Sequence, residues 1–378
     1  MILKNDFKQQ TLCFLRAWLN NAPEALAVLD PSVLQSVINT LCGDFDNNPD
    51  DFLTTRLRKN QQWLDNQGLT PLIASLVFSL DPDIRNSVDI LRKKRQGYAG
   101  RSLHLEGSAR IMTKALDAWG RPWAIMKGFA LARRVYDQPW MRLSSDIDVL
   151  VRPEDWHDAL AVLYSIGGED GPQVIQPNEQ TVYIKGIGID LHNAPMRKGR
   201  LRFNPAADWL SRINRVEIFP GLSEHDELVL SFFHPAVTEY LAARMVRMLD
   251  IVLQVKRNRE AIDWQRVADD VLGFGLANAA YATALRVNQL FASKHEPVIP
   301  EQFIETLNIS GFRRRYWRFW LDRQPDRLYA NSPFLAQLLF SLWLNDSPRD
   351  WLRALADKYA STRGNPATGS GFRRAGPS

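Results

Sequence analysis

The sequence predicts an α+β fold, in which a mixed sheet with its own helices is flanked by N- and C-terminal helical regions. Between about residues 96 and 220, apolar residues alternate in short strand-like runs and recur every three or four positions in helix-like runs. On both sides of this stretch the helical spacing dominates. We therefore expect a helical region at 1–95, an α/β core at 96–220, a helical domain at 221–360 and a disordered tail at 361–378.

Composition and charge are those of a globular protein with an anionic partner. Apolar residues make up 45% of the chain and charged residues 24%, as in ordinary soluble proteins. No apolar run is long enough for a membrane span and the N-terminus lacks a signal-peptide cleavage site, so we expect a cytoplasmic protein. The net charge of +5 suits a nucleotide, a nucleic acid or a phosphorylated molecule. Cys13 and Cys42 lack the spacing of zinc ligands, and we expect reduced thiols in the core.

Helical spacing begins near the N-terminus. One face of a first helix is formed by Phe7, Leu12, Leu15 and Leu19. The segments PSVLQSVINTLCG and TPLIASLVFSL continue with the same spacing, and the longer run LHLEGSARIMTKALDAWG ends at Gly120.

A strand-turn-helix unit follows and predicts a phosphate site. The short apolar strand Trp123–Met126 turns at Gly128 into a helix that ends near Pro139. A glycine lets the backbone approach an anion closely, and a helix N-terminus favours negative charge. We expect Lys127 to contact a triphosphate, and Arg142 is a second candidate for such a contact.

The next strand carries two aspartates on one face. In MRLSSDIDVLV, residues 141–151, Asp146 and Asp148 point one way while Ile147 and Val149 point the other. Burying a carboxylate is costly unless it is paired or coordinates a metal, and two like charges at this distance repel. A divalent cation such as Mg²⁺ or Mn²⁺ resolves both problems, because it takes hard oxygen ligands.

A second acidic strand follows a helix that begins at Pro153. TVYIKGIGIDLH, residues 181–192, alternates as two strands joined by a turn at Lys185–Gly186. The second of these strands places Asp190 on the face opposite its buried isoleucines. If this strand pairs with the preceding acidic strand, the three carboxylates can hold two metals about 3.5 to 4 Å apart, as in-line attack on phosphorus requires.

The C-terminal part returns to helical spacing and contains further candidates. The segment GFRRRYWRFWLDRQPDRLY, residues 311–329, mixes arginines with aromatics as nucleic-acid surfaces do. It also fits an amphipathic helix with tryptophans inward and arginines outward, which we favour. We interpret His192 as a hydrogen-bonded neighbour of the acidic strands, and His234 and Asp250 as a structural pair between helices.

Several of these segments together resemble a known family. IMKGFALARRVYDQPWMRLSSDIDVLVRPEDW, GIDLHNAP and RMLDIVLQVKR resemble the uncharacterised nucleotidyltransferase family of the polymerase-beta superfamily. The resemblance implies a nucleotidyltransferase-like fold, with Asp146 and Asp148 as ligands of both metals, Asp190 as ligand of the catalytic metal and Gly128 in the nucleotide-phosphate loop. Many superfamily members have Gly-Ser where this chain has Gly128 and then phenylalanine, so Lys127 is the expected substitute for that hydroxyl.

We therefore hypothesise a metal-dependent transfer of a nucleoside monophosphate from an NTP to a hydroxyl or phosphate. The acceptor stays open between a small molecule, a sugar phosphate, a peptide and RNA. One alternative is a nucleotidyltransferase-like toxin or binding protein that acts on RNA. Another is a glycosyltransferase with a DxD metal motif, although that function does not explain the lysine-glycine turn and the third carboxylate.

Overall fold

The protein has an α+β architecture, which confirms the predicted fold class: a mixed sheet with helices packed on both faces. The computed structural model describes residues 4–19, 37–41, 52–80, 89–171, 178–239, 241, 244–293, 296–322, 339–341 and 343–363.

Within the described residues the sheet has seven strands. They are β1 (Trp123–Met126), β2 (Asp146–Val151), β3 (Glu169–Asp170), β4 (Glu179–Ile184), β5 (Ile187–His192), β6 (Asn214–Val216) and β7 (Phe219–Gly221). Their order across the sheet is β3-β4-β5-β2-β1-β7-β6. The pairs β2–β5 and β1–β7 are parallel, and the other pairs are antiparallel. The two acidic strands therefore lie side by side in the middle of the sheet.

The helices fall into three groups along the chain. Among the described residues, the helices with defined bounds before the sheet are α1 (Lys4–Leu19), α2 (Phe52–Asn66), α3 (Thr70–Leu80) and α4 (Asp89–Trp119). Three lie among the strands: α5 (Lys127–Arg134), α6 (Trp156–Ser165) and α7 (Ala206–Leu210). The last group is α8 (Glu224–Glu239), α9 (Met245–Arg257), α10 (Trp264–Phe274), α11 (Ala277–Phe291), α12 (Glu301–Thr306), α13 (Gly311–Asp322) and α14 (Pro348–Arg363). Helix α4 is continuous through the expected boundary at 95/96, so the N-terminal region and the core share it.

The two faces of the sheet belong to different hydrophobic clusters. On one face, Ile147, Val149 and Val151 of β2 pack in a cluster with residues of α4 and α6. On the other face, Leu150 joins a larger cluster that contains residues of α1, α3, α8, α9 and α11. Because Asp146 and Asp148 alternate with the first set, they lie on the second face, toward the cluster of N- and C-terminal helices.

The β4–β5 hairpin forms as the sequence predicts. Lys185 and Gly186 have φ angles of 51° and 79°, and positive φ at both central residues is typical of a type I′ turn. The acidic strand β2 is shorter than the predicted 141–151. A 3-10 turn at Pro139–Met141 precedes it, and Asp146 is its first residue. The preceding helix, α5, ends at Arg134 rather than near Pro139.

Other expectations concern the termini and the cysteines. Cys13 is exposed, so the prediction of a core thiol is wrong for this residue, and Cys42 lies outside the described residues. Helix α14 continues to Arg363, three residues into the expected tail, and residues 364–378 lie outside the described part. Among the residues described, no helix is both long and apolar enough to cross a membrane.

Candidate active site

The three predicted carboxylates lie on neighbouring strands. In the parallel pairing of β2 with β5, Asp148 is directly opposite Asp190, and Asp146 is opposite Gly188. Alternation along β2 places Asp146 on the same face as Asp148. The structure thus brings together all three residues that the sequence analysis selected.

Asp148 has two close polar partners. Its Oδ1 atom lies 2.9 Å from Lys127 Nζ and 2.9 Å from His192 Nε2. Burial by itself raises the pKa of Asp148, but the lysine charge and the histidine hydrogen bond outweigh burial and hold this pKa well below its usual range. Asp148 is therefore ionised, and His192 is the hydrogen-bonded neighbour that we expected.

The surroundings of Asp190 disfavour its ionised form, unlike those of Asp148. Burial raises its pKa to about 6, the Thr181 hydroxyl bonded to its Oδ1 at 2.6 Å opposes the rise, and the charges of Asp148 and Asp146 add to it. Negative charge at the cluster is thus incompletely balanced by protein groups. A cation with affinity for carboxylate oxygens relieves this imbalance.

Two serines position the first carboxylate. Ser144 Oγ donates to Asp146 Oδ1 at 3.3 Å, and Ser145 Oγ donates to Asp146 Oδ2 at 3.1 Å. Ser144 also borders the lysine-glycine turn, because a Cβ atom on Gly128 would lie 2.4 Å from its hydroxyl oxygen. A serine hydroxyl therefore lies beside Gly128, although residue 129 is phenylalanine. The sequence analysis missed this hydroxyl because Ser144 follows the glycine by sixteen residues.

The lysine-glycine turn connects β1 to α5 without a loop. Lys127 begins α5 with φ at 59°, in the left-handed region, and its N–H donates to Glu227 Oε1 at 2.8 Å. The φ angle of Gly128 is not positive, so a glycine is needed here because the side chains of Ser144 and Arg142 lie close to its backbone. A Cβ atom at this position would clash with Ser144 and lie 3.2 Å from Arg142 Nη1. The turn therefore packs tightly against the segment that leads into β2.

Arg142 is engaged in a buried ion pair. Its Nη2 lies 2.9 Å from Asp250 Oδ2 on α9, and Tyr136 Oη donates to Asp250 Oδ1 at 2.8 Å. Asp250 thus pairs with Arg142 rather than with His234, whose Nδ1 lies 3.3 Å from Thr238 Oγ1. The predicted contact of Arg142 with a nucleotide stays a prediction.

A polar face of α8 borders the same turn and was not predicted. Glu227, Ser231 and His234 follow each other at positions i, i+4 and i+7, and with Lys127 and Arg247 they line a cavity of about 20 Å³. Burial raises the pKa of Glu227 to about 7, against the lowering effect of nearby positive groups. The available signal was the polar stripe: between Leu228 and Val237, the residues of α8 other than Ser231 and His234 are apolar.

The chemistry of the carboxylate cluster fits a divalent cation. Three carboxylates on one face supply the hard oxygens that Mg²⁺ and Mn²⁺ prefer, and burial, together with the charges of Asp148 and Asp146, raises the pKa of Asp190. No three acidic, histidine or cysteine side chains of the described residues are arranged as a ready metal site. Asp148 Oδ1 instead lies 2.9 Å from the ammonium group of Lys127.

Comparison with known proteins gives one family. A family model described as an uncharacterised nucleotidyltransferase matches residues 55–292, a range that includes the whole sheet and all three aspartates. No curated protein matches the chain. The crystal structure of JHP933 from Helicobacter pylori is similar at 14% sequence identity, over 61% of this chain and 97% of that chain, with a TM-score of 0.30. At that TM-score the likeness informs neither the fold nor the site.

Proposed function

The chain belongs to the uncharacterised nucleotidyltransferase family, and from this premise we propose that it is a metal-dependent enzyme that transfers a nucleoside monophosphate from an NTP to a hydroxyl or phosphate of an acceptor. Family membership supports nucleotidyl transfer in general terms. The observation that carries the more specific proposal is the group of Asp146, Asp148 and Asp190 on one sheet face beside the Lys127–Gly128 turn.

The carboxylates are the ligands in this proposal. Asp146 and Asp148 would be ligands of two Mg²⁺ or Mn²⁺ ions, and Asp190 would be a ligand of the catalytic one. When bound there, the ions would lower the pKa of the attacking hydroxyl and stabilise the negative charge of the leaving phosphate. Ser144 and Ser145 orient Asp146, while Thr181 and His192 orient Asp190 and Asp148 through the hydrogen bonds described above.

The lysine-glycine turn binds the triphosphate in this proposal. Gly128 lets the backbone approach an anion, and the N–H groups of the first turn of α5 point toward it. Lys127 supplies an ammonium group already at the edge of the carboxylate cluster, so a phosphate bound to it lies next to the proposed metals. Arg142 adds positive charge close to Gly128 while it stays paired with Asp250.

The first test is binding of each of the four NTPs with Mg²⁺ by calorimetry. We expect metal-dependent binding of at least one NTP by the wild type and its loss in Asp148→Asn, because the variant removes an ionised ligand. The matched control is Asp158→Asn, which removes an exposed carboxylate from α6. Binding that is equal in wild type and Asp148→Asn contradicts the proposed role of the cluster. Hydrolysis of a nucleotide sugar without NTP binding would favour a glycosyltransferase instead.

Helix α13 favours RNA as the acceptor or as the partner of a binding protein. Trp317 and Trp320 are buried, as the amphipathic interpretation predicts, whereas Phe312 and Phe319 are 63% and 51% exposed. The ring of Phe312 lies beside Trp343 with centroids 5.2 Å apart, and exposed aromatic surface next to arginines suits base stacking and phosphate contacts. Salt-sensitive RNA binding that persists after metal removal would support the binding-protein function. The part of the 311–329 segment after Asp322 lies outside the described residues.

A further inference from the structure

The lysine-glycine turn contains a backbone conformation that needs support. Lys127 is in the left-handed region, which is unfavourable for a residue with a side chain, and it is nearly buried at 9% exposure. Gly128, its neighbour, has no positive φ. Such conformations persist where surrounding contacts over-determine them, and they cluster at functional sites.

Two acidic side chains hold Lys127 at both ends. Asp148 accepts from its ammonium group at 2.9 Å, and Glu227 Oε1 accepts from its backbone N–H at 2.8 Å. Glu227 comes from α8, one hundred residues further along the chain, and is completely buried. The backbone of the turn is therefore tied to the C-terminal helices by a single carboxylate.

Packing alone does not explain a carboxyl group at this position, because burying it costs free energy. Within the part of the chain that the structure describes, Glu227 Oε2 is buried and has no hydrogen-bond partner. An apolar residue of similar size would fill the space between α8 and the turn without the cost of burying a carboxyl group that has one oxygen without a hydrogen-bond partner. The bond to the Lys127 N–H is the contact that an apolar residue cannot make.

We propose that Glu227 is a positioning residue, which holds the Lys127–Gly128 turn in the conformation that presents the Lys127 ammonium group, and the N–H groups of α5 that follow Lys127, to the triphosphate. This role rests on the proposed nucleotide site. It deepens that site by adding a residue from the C-terminal helices, so that α8 helps to shape the phosphate pocket.

Two variants separate the reach of the side chain from its charge. Glu227→Gln keeps the length and an acceptor oxygen but cannot ionise, whereas Glu227→Asp keeps an ionisable carboxyl group and is one methylene too short for the Lys127 N–H. Glu224→Asp, in the exposed first turn of the same helix, is the matched control. The readouts in the full-length protein are amide exchange of peptides that cover residues 124–130 and calorimetric affinity for Mg²⁺ with each NTP.

We expect Glu227→Asp to speed amide exchange at Lys127 and to weaken NTP binding by about tenfold, the loss that one broken backbone hydrogen bond produces. Glu227→Gln and Glu224→Asp are expected to stay close to the wild type in both readouts. Thermal unfolding of each variant confirms that it is folded at the temperature of measurement.

Three results overturn the inference in different ways. Unchanged exchange in Glu227→Asp contradicts the backbone contact itself. If Glu227→Asp shows faster exchange but unchanged NTP affinity, the contact with Lys127 is structural and does not position the nucleotide. A loss in Glu227→Gln with retention in Glu227→Asp means that the charge acts rather than the hydrogen bond. Absence of NTP binding by the wild type is a failure of the proposed function, which the exchange readout distinguishes from a failure of the contact.

Discussion

At the scale of single residues, Lys127 controls the charge of the carboxylate cluster. Its ammonium group is paired with Asp148 Oδ1 at 2.9 Å, and the Lys127 side chain is only 10% exposed. The same ammonium group is the expected ligand of a triphosphate. In the proposed function, a triphosphate would draw Lys127 away from Asp148 and free a carboxylate oxygen for a cation, so we expect the two binding events to be linked.

Replacement of this lysine tests the link. We expect Lys127→Met to bind Mn²⁺ about tenfold more tightly than the wild type in the absence of nucleotide, because the competing positive charge is gone. Titration of Mn²⁺ followed by electron paramagnetic resonance measures this affinity. Lys114→Met, which removes an exposed lysine from α4, is the control. Equal affinities of Lys127→Met and wild type would contradict competition between lysine and metal.

The buried Glu227 carboxyl makes a second prediction, for the pH dependence of stability. Its folded pKa of about 7 lies above the ordinary value of 4.5, so between these pH values the folded protein holds a proton that the unfolded chain has lost. The free energy of unfolding therefore falls as pH rises through this window and is level above it. In the wild type this loss of unfolding free energy amounts to at most about 3 kcal/mol at pH 8. Glu227→Gln cannot ionise and therefore does not suffer it.

Urea unfolding of wild type and Glu227→Gln at pH 4.5 and pH 8 measures this difference. We expect Glu227→Gln to gain stability relative to the wild type only at the higher pH. The exposed variant Glu224→Gln serves as the reference for a surface carboxylate on α8. A gain of the same size at both pH values would mean that the proton uptake of Glu227 is not the cause.

At the scale of elements, one buried ion pair joins the segment before β2 to α9. Arg142 and Asp250 are 5% and 1% exposed, and Tyr136 shares the carboxylate. A buried pair adds little net stability compared with an apolar pair, but the loss of one partner leaves a buried charge unpaired. The pair therefore makes the position of the acidic strand depend on a C-terminal helix.

Removal of one partner tests this dependence. We expect Asp250→Asn to lower the free energy of unfolding by about 3–5 kcal/mol, because the Arg142 guanidinium loses its counter-charge. The double variant Arg142→Met with Asp250→Leu is expected to recover part of the loss, and Asp158→Asn is the surface control. Urea denaturation followed by circular dichroism measures all four proteins. A loss in the double variant as large as the loss in Asp250→Asn would contradict the pairing.

At the scale of the whole molecule, helices from both ends of the chain enclose one core. Leu15 of α1 and Leu290 of α11 belong to the same cluster, and Arg16 Nε donates to the Leu290 carbonyl oxygen at 2.7 Å. The face of the sheet that carries the aspartates is directed toward this cluster. The division into regions at 95/96 and 220/221 stays a prediction, and the shared core predicts that the helical regions do not unfold independently.

Cooperative unfolding is the corresponding measurement. We expect the helical circular dichroism signal and the tryptophan fluorescence to change together in one thermal transition, since α1 and α11 lose a common core. In the full-length protein, Leu15→Ala should shift both signals by the same number of degrees, with the exposed Leu103→Ala as control. Separate transitions, of which only one responds to Leu15→Ala, would contradict a shared core.

The sequence by itself determined the elements around the site and the chemistry of its carboxylates. Apolar alternation is a local property, so β1, the Lys185–Gly186 turn and the shared face of Asp146 and Asp148 could be read from neighbouring residues. The short strands β3, β6 and β7 were not predicted, because two or three residues are too few to establish a period.

Only the tertiary structure decided which partner each buried charge takes. Lys127 pairs with Asp148 across 21 positions, its N–H bonds to Glu227 across 100, and Arg142 pairs with Asp250 across 108. These choices follow from the packing of α8 and α9 against the sheet, which excludes water and forces each buried polar group to find a partner inside the protein. No local pattern contains that information, because the energy of such a contact depends on what surrounds it in space.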